Sequence, residues 1–155
     1  MLLKLLVLFP LTAFATLGQS PQHRHLNSAR TGHSYSFSKT KPSELVRLAQ
    51  KLRARGLTVV LTKEKISQPF FSVPGRIMKI NVEAVQVFEY GTTAAANANA
   101  REVSADGGTI GTSKPSWIAS PHFFKSGRLI VLYVGEDQSI IDVLRLALGN
   151  QFAGR

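Results

Sequence analysis

Few residues in this sequence have the type and spacing to do chemistry. His122 lies in Ser120-Pro121-His122-Phe123-Phe124 and is the one histidine beyond residue 33. An imidazole can act as a general base, so a Ser-His-Asp relay is arithmetically available. No serine sits in a Gly-x-Ser-x-Gly elbow, however, and a lone histidine among aromatics more often packs or hydrogen-bonds. Glu136-Asp137 is the one adjacent acid pair placed to serve as general acid and base. At a strand-to-helix junction, capping and the helix dipole explain both residues. Gly107-Gly108-Thr109-Ile110-Gly111 is glycine-rich but follows a helical segment and lacks a phosphate-loop Lys, so it reads as a mobile connection. His23-x-His25, with His33 nearby, could chelate a metal only weakly without a third ligand, and these read as solvated tail residues. The absence of cysteine excludes a thiolate metal site, a thiol nucleophile and a disulfide framework. No catalytic residue, metal site or cofactor is therefore assigned.

Two binding sets remain. Trp117, His122, Phe123 and Phe124 are candidate ligand contacts, with Phe70 and Phe71 as further ring surface. Aromatic patches of this kind bind sugars, peptides or proteins, and their plainer role is core packing. Arg47, Lys51, Arg53 and Arg55 are candidate anion contacts on one helix. Between residues 39 and 65 there are eight Lys or Arg against two Glu, whereas residues 66–155 carry eight against seven acids. The excess behind the formal charge of +10 is thus concentrated near that helix. Such a face favours polyanions or an anionic membrane surface, and its plainer role is solubility. No nucleic-acid-binding motif accompanies it.

At 155 residues, with 44% hydrophobic and 18% charged, the chain can build one unaided core. Lys4, the apolar run 5–17 and Ala13-Phe14-Ala15 resemble a secretory leader, cleaved after Ala15. The run is too short for the roughly 20 residues that span a bilayer. Export to a periplasmic or extracellular space follows, with a signal-anchored form as the alternative. Residues 16–41 read as a flexible polar tether and 42–155 as one domain.

Within that domain, Ser43 and Glu44 open a helix over 43–55 whose apolar stripe is Leu45, Leu48, Ala49 and Leu52, closed by Gly56. Residues 57–62 read as a strand, and 66–75 as a proline-broken connection with an aromatic plug. Over 76–90 the apolar alternation changes phase, which predicts a hairpin turning near 81–84; a bulged single strand is the alternative. Residues 92–103 are an alanine-rich helix and 116–119 a short strand around Trp117. Residues 121–127 form a loop, 128–135 a doubly buried central strand, and 137–148 a final helix. The order predicts an α+β two-layer sandwich. Its antiparallel sheet carries helices on one face, a ferredoxin-like variant with an extra N-terminal helix.

The strings VQVFEY (85–90), SWIASPHFF (116–124) and GRLIVLYVG (127–135) resemble a group of small exported bacterial proteins and lipoproteins, over roughly 42–155. The resemblance implies export and no particular activity. Some members of that group read Asn-Gly-Glu at the hairpin turn, where this chain has Asn81-Val82-Glu83; valine resists the positive φ of a type I′ turn. Members with a lipidated cysteine would sit on a membrane, and this chain has none.

Together these readings give an exported, non-catalytic binding or interaction module. The alternatives are a small hydrolase using His122 and envelope-surface binding through the basic helix. A second copy of the chain, an envelope protein or an anionic surface are the partners considered, and specific nucleic acid is not.

Overall fold

The computed structural model describes residues 41–154. The expected leader, its cleavage point, the tether and the His23, His25 and His33 group lie outside the described residues. Helix α1 (Glu44–Arg53) begins where Ser43 Oγ accepts the Val46 backbone N–H at 3.3 Å. Its predicted stripe of Leu45, Leu48, Ala49 and Leu52 is buried. Gly56, at φ +84°, turns the chain into β1 (Val59–Ile66). This strand runs beyond its predicted end by folding a bulge between Leu61 and Lys65, where Thr62 Oγ1 donates to the Ile77 carbonyl at 2.9 Å.

The predicted hairpin forms from β2 (Gly75–Ile80) and β3 (Glu83–Glu89), joined by Asn81 and Val82. Only Asn81 takes a positive φ, 55°, so valine is spared the conformation that a type I′ turn demands. The turn is anchored from outside, the Thr58 N–H donating to Asn81 Oδ1 at 3.2 Å. Helix α2 (Thr93–Arg101) is capped by Thr92, whose Oγ1 accepts the Ala95 N–H at 3.1 Å.

The segment after α2 departs from expectation. No strand forms at 116–119, and the residues read as a loop are strand β4 (Pro121–Ser126). Proline is tolerated as the first residue of a strand, where no ladder N–H is needed. The ladder then pairs Phe123 with Leu132 and Phe124 with Val131 on β5 (Leu129–Val134). Asp137 caps α3 (Gln138–Leu148), and a short β6 (Ala153–Gly154) adds to β4.

The six strands lie in the order β1-β2-β3-β5-β4-β6, with every neighbouring pair antiparallel. The class is α+β, as the sequence predicts. Two connections have split βαβ form: α2 joins β3 to β4, which run the same way on either side of β5, and α3 joins β5 to β6, which run the same way on either side of β4. The helices also divide between the faces. Leu129, Val131 and Tyr133 of β5 face α1 and α3, while Ile130 and Leu132 join Ala96 and Ala100 of α2 on the opposite side. Phe71 and Phe123 complete that second core, so the Phe70-Phe71 plug covers the face that α1 and α3 leave open. Two covered faces explain why β5 is an unbroken apolar run.

One polar node ties these layers. The Arg128 backbone N–H and Nε donate to Glu44 at 2.7 and 3.2 Å, and Nη2 donates to Glu89 Oε1 at 3.0 Å. Glu89 Oε1 also accepts the Glu44 backbone N–H at 2.8 Å. The start of α1, the end of β3 and the start of β5 thus share one charge cluster.

Candidate functional site

Pairing β4 with β5 sends alternate β4 side chains to opposite faces. This divides the predicted ligand-contact set. Trp117 and Phe123 lie on the α2 side, with ring centroids 6.0 Å apart, and Trp117 Nε1 donates to the Gly107 carbonyl at 2.8 Å. Phe124 lies in the α1–α3 core, and both phenylalanines are fully buried. His122 stacks on Tyr133, itself part of that core, with centroids 6.0 Å apart. The four residues therefore do not make one site.

His122 is 5% exposed and forms one wall of a cleft of about 480 Å³, whose other walls include Gln138, Arg145, Asn150 and Gln151. Its Nε2 lies 3.1 Å from the Gly135 carbonyl, which can only accept, so this nitrogen carries a proton. Its Nδ1 lies 2.9 Å from the Gln151 side-chain amide. A protonated Nδ1 donates to the amide oxygen and a bare one accepts from the amide nitrogen, so the contact survives either state. Neither partner is a hydroxyl or a carboxylate. Through these two contacts the imidazole ties the β5–α3 junction to the C-terminal segment.

The acid pair is also committed to structure. Glu136 Oε1 accepts the Ser120 N–H at 3.0 Å, and hydrogen bonds from Ser120 hold this carboxyl below its ordinary range. Asp137 Oδ1 accepts the Ser139 hydroxyl and N–H at 2.6 and 2.8 Å, which lowers it likewise. The glycine-rich segment expected to be mobile is closed on itself. Ser104 N donates to the Thr109 carbonyl at 2.8 Å, and Asp106 Oδ1 accepts both Ser104 Oγ and Gly108 N. Among the described residues, no three His, Asp or Glu converge to hold a metal ion.

Each of the four basic residues on and just beyond α1 has an internal acceptor. Arg47 reaches Glu44 at 3.5 Å, and Lys51 Nζ donates to the Ala147 carbonyl in the last turn of α3. Arg53 grips the Val59 carbonyl through Nε and Nη2 at 3.0 and 2.6 Å, and Arg55 donates to the Lys51 carbonyl at 3.4 Å. Lys51 and Arg53 thus fasten α1 to α3 and β1, whereas the contacts of Arg47 and Arg55 stay within α1 and its last turn.

The structure adds cations that the helix alone did not suggest. Residues 41–79 hold nine Lys or Arg against two Glu, and residues 80–154 hold five against seven acids. Because α1 packs on β1 and β1 pairs with β2, the first group is carried on three neighbouring elements with a net charge of +7, Lys65 and Arg76 on the α1 side of the sheet and Lys79 on the opposite face. Lys65 and Arg76 sit directly opposite each other on β1 and β2 and line a cleft of about 320 Å³ beside the start of α1. Sequence reading missed this pair because the 67–74 connection and the bulge hide the register that opposes the two residues.

No family model, curated protein or solved structure matches this chain.

Proposed function

We propose that this chain is an exported, non-catalytic binding module whose working surface is the basic edge formed by α1, β1 and β2. The observation that carries the reading is the charge division: net +7 on the neighbouring elements of residues 41–79 and net −2 on residues 80–154. A molecule polarised this way orients in the field of an anionic surface and gains affinity by releasing counterions. Export rests on the leader-like residues 1–15. It directs the edge towards envelope anions rather than nucleic acid. The geometry at His122 offers no nucleophile, which favours binding over hydrolysis.

The test is sedimentation of the full chain with phosphatidylglycerol vesicles and with neutral phosphatidylcholine vesicles. Retention on the anionic vesicles alone, falling steeply as salt rises from 50 to 200 mM, is the supporting result (a loss of about tenfold or more). Equal retention on both, or on neither, overturns the reading. Export is tested separately by fractionating expressing bacteria and measuring the mature N-terminus by mass spectrometry. An intact leader on a cytosolic pool contradicts it.

A further inference from the structure

From the cleft beside the start of α1 we infer that Lys65 and Arg76 form a discrete site for a phosphate dianion, free or as a phosphomonoester. This rests on the reading of the basic edge and sharpens it from a diffuse charged surface to one pocket. The antiparallel register sets Lys65 opposite Arg76, so their Cβ atoms lie about 5 Å apart on the same face of the sheet. Like charges placed directly opposite repel, whereas an acid at one of the two positions would stabilise the pair. Neither residue forms an ion pair among the described residues. The one carboxylate lining the cleft, Glu89, has its Oε1 engaged by Arg128 Nη2 and the Glu44 N–H. Ser43 lies on the same wall, but its hydroxyl already caps α1.

What remains is two uncompensated cations facing a concave space. Arg76 is placed rather than loose, because its Nη2 donates to the Thr62 carbonyl in the β1 bulge at 3.1 Å. That bond leaves the other guanidinium N–H groups to point a planar fork, while Lys65 adds a mobile point charge. A fork beside an ammonium suits a compact dianion with three oxygens; a carboxylate would neutralise only one of the two charges. The cleft of about 320 Å³ holds such a group together with the first atoms of its carrier. The carrier is either a lipid headgroup or nothing at all, the ligand then being free phosphate.

The experiment titrates the full chain with inorganic phosphate, following backbone amide shifts by NMR. It then compares retention on vesicles of phosphatidic acid and of phosphatidylglycerol at matched charge. Saturable shifts at Gly75 and Arg76 are expected, with at least a tenfold loss in Lys65→Ser, whose ammonium makes no hydrogen bond or ion pair among the described residues. Lys63→Ser and Lys79→Ser remove the same charge outside the cleft and should change phosphate affinity less than twofold. Preference for phosphatidic acid identifies a lipid carrier, and equal vesicle retention with saturable phosphate binding identifies free phosphate; either supports the site. Equal weakening by all three variants overturns the site but leaves the basic-edge reading standing. So does the absence of shifts in the cleft while anionic vesicles still bind. Failure to bind either anionic vesicle overturns both.

Discussion

At the scale of single residues, the polar side chains of this domain are mostly occupied in holding it together. Glu44 shows the balance. Burial pushes its carboxyl up, but the Arg128 N–H and guanidinium, aided by Arg47, outweigh this and hold it below 4.5. A depressed folded value means that its contribution is complete above about pH 4.5 and is lost as pH falls through the lower folded value. Glu44→Gln should cost about 1–3 kcal/mol at neutral pH and flatten the acid limb of a plot of Tm against pH; an unchanged limb would contradict the role given to this node. Tyr90 is the opposite case. Its hydroxyl is buried without a hydrogen-bond partner among the described residues, and burial pushes it far above the ordinary value of 10. Tyr90→Phe should therefore be neutral or stabilising by up to about 1 kcal/mol in urea unfolding, where a loss of more than 1 kcal/mol would reveal a missed partner. His122 illustrates what a sequence does and does not tell. That it would pack and hydrogen-bond was readable from its lone, aromatic setting. That its partners are a carbonyl at 135 and an amide at 151 was not, since both come from later elements.

At the scale of elements, those with strong local periodicity were legible. The stripe of α1, the caps at Ser43, Thr92 and Asp137 and the unbroken run of β5 each announce themselves within a dozen residues. Strand β4 was hidden because burial on both faces erases alternation, leaving Pro121 and its aromatics to read as a loop. Two-residue β6 was hidden because its pairing depends on long-range contact with β4. There Gly154 has a φ of +100°, and a Cβ on it would run into the Pro121 carbonyl. Gly154→Ala should release β6 from β4 and speed hydrogen exchange at the Phe152 and Gly154 amides, which donate to the Phe123 and Ala105 carbonyls. Unaltered protection at both would contradict the close approach.

At the scale of the whole molecule, the sequence showed where charge concentrates along the chain but not which residues share a surface. The four cations of the α1 region were candidate anion contacts, and the fold uses Lys51 and Arg53 to fasten α1 to α3 and β1 while Arg47 and Arg55 bond locally. Folding also sets Arg76 of β2 opposite Lys65 of β1 on the α1 side of the sheet, while Lys79 adds charge on the other face. Lys, Glu and a bulge on β1 blunt this edge of the sheet against pairing with another strand, so long-range charge is the better route to a partner there. The most direct test of this basic edge maps amide shifts of the full chain as phosphatidylglycerol bicelles are added at low salt. Perturbations confined to α1, β1 and β2, and reversed by 200 mM salt, are the expected result. Perturbations centred on the His122 cleft and α3, or none anywhere in residues 41–154, would contradict it.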